Sequence, residues 1–400
     1  MVKAKRVILI VLDGCGVGKA PDADIFKDKG ANTLKHVIEA TRVDLPNLRK
    51  LGLFNLINKK SDSVIFNSIY GTLEELSAAK DTITGHWELM GIIRHKPFNT
   101  YREGLPQSLL KKFVEVNKLK GYLGGNPASG TEIIKELGET HLKTSYPICY
   151  TSADSVLQIA CHTSIYTLNR LYELCEKIFE AAVHEYGLAR VIARPFTGSP
   201  GNFTRTPDRK DFSVKPPENN VLTSLTKNNI KTIGIGKIGD IFAHQYLDIE
   251  LHSKGNSACI NDLLDILQKE NTNSFIFVNL VDFDMLYGHR NDVSGFAQAL
   301  AEFDSSLAQI IEKLSNNDLL MITADHGCDP TYPGTDHTRE NVPLLISSKH
   351  FKSTLPFTTK KGFIYIGDTI LKYFGLCPIN DNIIEEVFYE NGWPNYQKKR

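Results

Sequence analysis

The sequence predicts an α/β protein with a mostly parallel sheet flanked by helices, interrupted by a second, smaller α/β domain. Short, wholly apolar runs end on polar or glycine residues, and helical patterns lie between the later ones. Runs without polar alternation are typical of strands covered on both faces, and alternating strands and helices favour a parallel sheet. At 400 residues the chain also exceeds what one hydrophobic core usually supports.

The predicted strands of the larger domain are widely separated along the chain. They cover residues 7–12, 232–235, 275–281, 319–323 and 342–346, and all are expected to run parallel. A helix is predicted over residues 294–314, where Phe296, Leu300 and Phe303 recur at helical spacing. Since one strand lies near residue 10 and the others lie beyond residue 230, the first and last thirds are expected to form one sheet.

The middle of the chain is predicted to be an inserted domain. Pro97 marks its front and Pro216-Pro217 its back. Inside it, strands are predicted over residues 148–150 and 191–193, and a helix over residues 168–184. The expected division is a core domain formed by residues 1–97 and 218–400, with residues 98–217 as the inserted domain.

Composition excludes several classes of function. Lys+Arg equals Asp+Glu at 46 each, so the net charge indicates neither nucleic acid nor an anionic membrane as partner. The apolar run 7–12 is too short for a signal peptide, and no stretch approaches a membrane span. The seven cysteines are scattered without CxxC spacing, which favours free thiols in a reducing compartment. A cytoplasmic protein is expected.

Carboxylates follow three of the predicted strands. Asp13 follows the first strand, Asp282 and Asp284 follow 275–281, and Asp325 follows 319–323. A single Asp after a strand is often only a helix cap. Ligands of open parallel sheets bind at the carboxyl ends of the strands, so three such acids are candidates for one shared site.

Histidines near these acids complete a candidate centre for two metal ions. The six candidate ligands form two sets, Asp284 with His289 and His337, and Asp13 with Asp325 and His326. Two ions could bridge a phosphoryl group, one activating a nucleophile and the other stabilising charge. Oxygen and nitrogen ligands without thiolate fit manganese, zinc or iron. Asp336 is expected to orient His337, and Cys328 to be a small buried thiol.

The nucleophile is sought in Asp81-Thr82-Ile83-Thr84-Gly85-His86-Trp87-Glu88. Both threonines precede a predicted helix whose visible start is Trp87. A hydroxyl at a helix N-terminus has free backbone N–H groups and a favourable dipole for phosphate. A threonine before a helix is more often only an N-cap, so the local sequence leaves both interpretations open.

Taken together, these motifs resemble the phosphopentomutase family of alkaline-phosphatase-like metalloenzymes. The resemblance covers nearly the whole chain and rests on the stretches 80–88, 150–158, 193–196, 279–284, 288–290 and 323–340. It implies an alkaline-phosphatase-like core with the inserted domain as a cap. It also implies that ribose 1-phosphate and ribose 5-phosphate, and likewise the 2-deoxyribose compounds, are interconverted.

The resemblance further implies roles for individual residues. Thr84 carries the phosphoryl group. Together with Asp13, Asp325 and His326 it binds one manganese ion, and the set of Asp284, His289 and His337 binds a second manganese ion. The reaction passes through a sugar 1,5-bisphosphate, and a sugar bisphosphate such as glucose 1,6-bisphosphate primes the enzyme. The expected substrate contacts are Ser152, Asp154, Arg190, Arg194, Arg205 and Lys237, because arginines grip phosphate and an Asp orients sugar hydroxyls.

Two other functions remain open at this point. A metal-dependent phosphatase or a phosphoglycerate mutase of the same superfamily would share the metal ligands. A catalytically inactive sugar-phosphate binder is the alternative from another class, although neither a ligand nor the nucleophile is missing. In a mutase the cap is expected to exclude water from the phosphoenzyme. Pentose phosphates are the partners that the resemblance implies.

Overall fold

The computed structural model describes residues 4–57, 67–152 and 154–390. The chain forms two compact units. The core unit consists of Met1–Pro97 and Pro216–Arg400, and the inserted unit is Phe98–Lys215. Each unit has its own sheet, and all seven cysteines are free thiols.

The core unit alternates strands and helices in both of its segments. Its first segment contains β1 (Arg6–Leu12), α1 (Thr33–Thr41), α2 (Pro46–Lys50), α3 (Leu53–Leu56), β2 (Ser68–Glu74) and α4 (Thr82–Leu89). Nine elements of the inserted unit follow: α5 (Gln107–Val116), β3 (Leu123–Pro127), α6 (Gly130–Thr144), β4 (Ile148–Thr151), β5 (Val156–His162), α7 (Leu168–His184), β6 (Arg190–Ser199), β7 (Asn202–Arg205) and β8 (Lys210–Ser213).

The core unit resumes after the insertion. Its elements are α8 (Val221–Lys227), β9 (Lys231–Ile235), α9 (Ile238–Ile241), β10 (Ile249–Leu251), α10 (Asn256–Lys269), β11 (Ser274–Leu280), α11 (Val293–Lys313), β12 (Asp318–Thr323), β13 (Val342–Ser347), β14 (Leu355–Pro356), β15 (Lys360–Lys361) and α12 (Ile364–Phe374). A π-helical turn (Phe283–Tyr287) and a 3-10 turn (Gly288–Arg290) connect β11 to α11. No helix in the described ranges is long and apolar enough to cross a bilayer.

The sheet of the core unit confirms the predicted α/β class. Its strand order is β10-β9-β11-β1-β12-β13-β2-β14, with β15 also paired to β2, and β1 lies between β11 and β12 in parallel register. Every residue of β1, β11 and β12 is buried, as expected of strands covered on both faces. Helices α1, α2 and α10 each pack against α11. Helices α4 and α8 each pack against α12, and α9 packs against α4.

One predicted strand runs in the opposite direction from the expectation. β13 pairs antiparallel with both β12 and β2. The segment between β12 and β13, which the structure describes throughout, contains no crossover helix, so β13 starts at the edge where β12 ends and returns along it. Because the run Val342–Ser347 is buried throughout, its pattern of apolar residues does not show in which direction the strand runs.

The inserted unit is an α/β unit with a mixed sheet. Its strands follow the order β3-β4-β5-β6-β7, and β8 pairs with β6. Two apolar clusters of buried residues accompany the sheet, one around Leu110, Leu157 and Leu174, the other around Ile133 and Phe196. The unit therefore has a hydrophobic core of its own.

Candidate metal centre

The candidate centre lies at the carboxyl ends of three adjacent strands of the core unit. Asp13 follows β1 directly, Asp325 follows β12 after one residue, and Asp284 lies in the π-helical turn after β11. Since β1 pairs with β11 on one side and β12 on the other, the sheet brings these strand ends together. The backbone N–H of Asp13 donates to the Leu280 carbonyl at 3.3 Å, which ties two of the ends to each other.

The first group of ligand atoms consists of Asp13, Asp325 and His326. Their oxygen and nitrogen atoms lie within 4.8 Å of one another, and all three residues are buried. His326 Nε2 is 3.5 Å from Asp13 Oδ1 and 3.3 Å from Asp325 Oδ2. Burial lowers the pKa of His326 to about 4, so at neutral pH the ring is uncharged and has a lone pair to offer.

The second group is built around Asp284. His289 Nε2 is 3.3 Å from Asp284 Oδ2, and His337 Nε2 is 3.2 Å from Asp284 Oδ1. The two Nε2 atoms are 3.1 Å apart. The groups adjoin, because the rings of His326 and His337 stack with their centroids 3.8 Å apart. The two predicted sets of ligands are thus neighbours in space.

Backbone carbonyls orient two of the imidazole rings. Nδ1 of His289 lies 2.7 Å from the Thr335 carbonyl, and Nδ1 of His337 lies 2.8 Å from the Lys80 carbonyl. A ring that donates from Nδ1 turns Nε2 toward Asp284, and a proton or a metal ion beside the two facing Nε2 atoms keeps their lone pairs from repelling each other. Asp336, which is expected to orient His337, accepts the backbone N–H of His337 at 3.0 Å.

The carboxylates of the centre also lack the donors that buried oxygens normally have. Asp13 Oδ1, Asp284 Oδ1 and Asp325 Oδ2 receive no well-aligned hydrogen bond from the described part of the chain. Burial, together with the neighbouring Asp325 and Asp284, raises the pKa of Asp13 well above its ordinary value. Burial alone would lower the pKa of His337, but Asp284 outweighs it and holds this pKa at about 10. The site therefore favours positive charge, and its oxygen and nitrogen donors fit divalent metal ions.

A thiol lies beside the second group. Atoms of Cys328, Asp284 and His289 fall within 4.8 Å of one another, and the Cys328 thiol is hydrogen-bonded to the Asp284 carboxylate. Cys328 is buried, as expected, and burial raises its pKa well above the ordinary value for a thiol. A protonated thiol at this position donates to a candidate metal ligand.

The two candidate threonines have different surroundings. Helix α4 begins at Thr82, five residues before the expected start, and Asp81 is its N-cap. The Thr84 side chain is fully buried and donates from Oγ1 to Asp81 Oδ2 at 2.7 Å. Thr82 is only half-buried, and its Oγ1 is 3.2 Å from His326 Nε2. The hydroxyl beside the candidate ligands is thus that of Thr82, whereas the Thr84 hydroxyl is directed to Asp81, and the role of Thr84 stays a prediction.

The close approach of α4 to the centre depends on Gly85. A Cβ at this position would lie 2.3 Å from the backbone oxygen of Asp325, far inside van der Waals contact. One turn of the helix thus packs directly against the backbone that carries Asp325 and His326. Sequence reasoning offered both threonines, but it missed this contact and the buried residues His86 and Asn279 behind the ligands. The i, i+4 spacing of Thr82 and His86 was the available signal, because it puts both on one face of α4.

Lys237 is the one expected substrate contact in the core unit. It follows β9 as the N-cap of the short helix α9. Its ammonium group acts on Asp13, where it lowers the pKa against the larger effect of burial. Lys237 is therefore close enough to the first group of ligand atoms to act on its charge.

The expected substrate contacts in the inserted unit form two clusters. Arg190 lies 3.6 Å from Asp154 and 3.8 Å from Asp211, and Asp211 also pairs with Arg209 at 2.6 Å. Ser152 follows β4 directly and lies near Asp154 in sequence. Arg190 thus lies beside two carboxylates, and its contact with phosphate stays a prediction.

The second cluster is rich in positive charge. Burial lowers the pKa of Arg194, and the nearby Arg209 and Arg205 lower it further. Arg205 also lies against Gly130 at the start of α6, where a Cβ would be 1.6 Å from its Nη2 atom. In the described part of the chain, no side chain caps the first turn of α6. Arginines crowded beside such a helix N-terminus are suited to bind an anion such as phosphate.

Comparison with known proteins places the chain in a family. The profile described as the Metalloenzyme superfamily matches residues 5–378. A protein of Caldanaerobacter subterraneus subsp. tengcongensis named phosphopentomutase is 51% identical over 94% of this chain and 96% of its own length. One of Dictyoglomus thermophilum with the same name is 48% identical over 97% and 100%.

Among solved structures, a phosphoglycerate mutase of Leishmania mexicana is 12% identical. The matched regions are 96% of this chain and 97% of that one, with a TM-score of 0.47. The identities to the two phosphopentomutases are much higher and extend over nearly the full length of both partners. The chain therefore belongs to the phosphopentomutase family of the metalloenzyme superfamily, a family of isomerases.

Proposed function

We propose that this chain interconverts ribose 1-phosphate and ribose 5-phosphate, and the corresponding 2-deoxyribose phosphates. The named relatives support the substrate class, since they match nearly the full length of the chain. The observation that carries the mechanism is the Thr82 hydroxyl, 3.2 Å from His326 Nε2 at the junction of two groups of metal-type ligands.

Thr82 is the phosphoryl carrier in this proposal. Phosphothreonine gives its phosphoryl group to the free hydroxyl of the pentose phosphate, so the threonine P–O bond breaks as a sugar P–O bond forms. The product is a sugar 1,5-bisphosphate, and the hydroxyl proton passes to the threonine oxygen. In the second half-reaction the other phosphate returns to Thr82, which leaves the isomeric monophosphate. A sugar bisphosphate such as glucose 1,6-bisphosphate would phosphorylate the enzyme initially.

The six candidate ligands would hold two divalent cations, which we take to be manganese. When bound, such ions stabilise the charge on a transferring phosphoryl group and increase the acidity of a neighbouring hydroxyl. Asp13, Asp325 and His326 would hold one ion, and Asp284, His289 and His337 the other. The carboxylate oxygens without donors in the described chain, and the Nε2 atoms of His289 and His337 that face Asp284, support this assignment.

Binding of the substrate phosphate is assigned to Arg194 and Arg205, which form no ion pair with a carboxylate among the described residues. They are preferred to Arg190, because Asp154 and Asp211 both lie beside that arginine. Ser152 and Asp154 remain candidates for the sugar hydroxyls, although Asp154 is also 3.6 Å from Arg190. Lys237 would contribute positive charge on the side of Asp13.

The test is to follow ribose 1-phosphate in the purified full-length chain with manganese and glucose 1,6-bisphosphate. We expect ribose 5-phosphate to form with little free phosphate, and 2-deoxyribose 1-phosphate to react likewise. Chelation of the metal should stop the conversion, and added Mn²⁺ should restore it. Fast release of phosphate without isomerisation would instead indicate a phosphatase and overturn the proposal. Binding without either reaction would indicate a sugar-phosphate binder.

A further inference from the structure

A fully buried histidine lies directly behind the first group of ligand atoms. His86 is on the second turn of α4, and its Nδ1 is 2.9 Å from the Thr82 carbonyl and 3.1 Å from Asp325 Oδ2. The N–H is better aligned with the carbonyl, and the carboxylate oxygen lies beside that bond. A single donor thus contacts both the residue with the candidate nucleophile and a candidate metal ligand.

The other side of the ring continues the network. The side-chain amide of Asn279 lies 3.2 Å from His86 Nε2 and 2.8 Å from Asp13 Oδ2. The amide NH₂ has two hydrogens to donate, one toward each acceptor. This arrangement requires Nε2 of His86 to accept, which leaves its proton on Nδ1. Asn279 and His86 therefore form one run of contacts from Asp13 Oδ2 to Asp325 Oδ2.

We propose that His86 is a positioning residue, which holds the Asp325 carboxylate and the first turn of α4 in one fixed geometry. The inference rests on the proposed role of Thr82 and extends it. Without the Nδ1 donor, the Asp325 carboxylate would keep the Gly14 N–H, which donates to Oδ1 at 3.1 Å, but would lose its neighbour on Oδ2. Helix α4 would also lose the side chain that bonds to its first turn and contacts Asp325.

A simpler alternative is that His86 only fills space in the core. Its ring does pack against Phe277, with centroids 5.7 Å apart. A space-filling ring would not need a donor at one nitrogen and an acceptor at the other, however. The two interpretations differ in which substitutions the position tolerates, and that difference can be measured.

The experiment compares His86→Asn with His86→Gln in the full-length protein. The asparagine amide can occupy the position of Nδ1 and keep the donor, whereas the glutamine amide extends toward Nε2 and loses it. Removal of a partner that orients a ligand typically weakens metal binding or activity by about 10–100-fold. We therefore expect His86→Gln to weaken Mn²⁺ binding to the metal-stripped protein by that factor, and to lower kcat with little change in KM. His86→Asn should recover most of both.

His141 provides a matched control in the inserted unit. It is also fully buried, with Nδ1 2.7 Å from the Tyr146 carbonyl and Nε2 accepting the His162 backbone N–H at 2.9 Å. His141→Gln should lower thermal stability without changing Mn²⁺ affinity. Thermal melts of all variants identify any that fail to fold.

Equal losses in both His86 variants, or no loss in either, would overturn the proposal. Calorimetric titration of the metal-stripped protein with Mn²⁺ needs no substrate, so it tests His86 independently of the reaction. If the parent chain converted no pentose phosphate, the proposed function would fail, while the affinity ratio between the two variants would still decide the role of His86.

Discussion

Two threonines in the first turn of α4 differ in what their hydroxyls contact. Thr84 donates to Asp81, the N-cap of the helix, and is fully buried. Thr82 faces His326 Nε2 at 3.2 Å. A hydroxyl that already satisfies a capping carboxylate is poorly placed to attack a phosphate, whereas one beside candidate metal ligands is well placed.

Substitution of each threonine should separate these roles. We expect Thr82→Ala to lower mutase turnover by about 10³-fold or more, as loss of a nucleophile does in other enzymes. Thr84→Val keeps the shape of the side chain and loses one hydrogen bond, so it should cost about 1 kcal/mol of stability and retain turnover. Mass spectrometry of the protein after incubation with glucose 1,6-bisphosphate locates the phosphate. Phosphate on Thr84 would contradict this assignment.

Gly85 provides a second test at single-residue scale. A methyl group there would lie 2.3 Å from the Asp325 backbone oxygen, so either helix α4 or the backbone at Asp325 must move. We expect Gly85→Ala to cost about 1–3 kcal/mol, as overpacking usually does, and also to weaken Mn²⁺ binding. Gly375→Ala is the control: this glycine ends α12 with a φ of +81°, and no atom of the described residues lies within 4 Å of the place its Cβ would take.

Urea unfolding and Mn²⁺ titration distinguish the two glycine variants. Both should lose stability, Gly375→Ala because alanine is strained at positive φ. Only Gly85→Ala should lose metal affinity. If Gly85→Ala bound Mn²⁺ as tightly as the parent chain, the contact between α4 and the Asp325 backbone would not matter for the centre.

At the scale of elements, one buried arginine anchors the segment between β12 and β13. Arg339 is buried and forms ion pairs with Glu75, just after β2, and with Asp22. It also donates to the backbone carbonyls of Glu75 and Ala79. The segment that carries His337 is thereby attached to the chain leading into α4. Burial raises the pKa of Glu75 well above its ordinary value, although Arg339 acts to lower it.

Removal of this arginine should destabilise the protein in a pH-dependent way. Arg339→Met leaves Glu75 buried without its cation, which typically costs about 3–5 kcal/mol when the carboxylate is charged. The pKa of Glu75 should rise further in the variant. In both proteins the folded state keeps a proton that the unfolded state releases above about pH 4.5, so both lose stability as the pH rises from there. The extra loss in the variant should begin only where the pH passes the raised pKa of Glu75 in the parent chain.

Urea unfolding at several pH values measures this dependence. The double variant Arg339→Met/Glu75→Gln removes the buried charge and should recover part of the loss, mainly at high pH. An extra loss that stays the same from pH 5 to the alkaline limit of the folded parent chain would contradict the role assigned to Glu75. Asp22 stays partly exposed and should contribute little, since water screens its charge.

The sequence predicts the elements of this fold better than their directions or their contacts. Apolar runs and helical spacing indicated β1, β11, β12 and α11 to within a residue or two at each end. The direction of β13 was wrong, because burial on both faces removes the pattern that would reveal it. The start of α4 was placed too late, since Asp81 as N-cap is a matter of three-dimensional geometry.

The candidate site shows the same limit. The sequence places candidate ligands at the strand ends, and in the structure these side chains form overlapping groups in which Asp284 and His326 each belong to two. Thr82 and Thr84 lie on different sides of the first turn of α4, and the sequence does not show which side faces the ligands. The roles of His86 and Asn279 depend on hydrogen bonds between residues almost two hundred positions apart, which no local pattern encodes.

At the scale of the whole molecule, the fold gathers acidic groups that need a cation. Asp13, Asp284 and Asp325 come from three strand ends of one sheet and are all buried. Buried carboxylates without compensating charge oppose folding, so metal binding should stabilise the core unit. The inserted unit has its own hydrophobic clusters, and all six candidate ligands belong to the core unit.

Metal removal should therefore act unevenly on the molecule. At a Mn²⁺ concentration of 100 times Kd, a site that binds only the folded state adds about 2.7 kcal/mol of stability. We expect hydrogen exchange followed by mass spectrometry to slow in the core segments around Asp13 and 324–341 when Mn²⁺ is added, with little change at α7 in the inserted unit. The effect should weaken as the pH falls, because Asp284 holds the pKa of His337 at about 10 and of His289 above its ordinary value, so protons compete with the metal. Equal protection of both units, or none in either, would contradict a metal centre confined to the core unit.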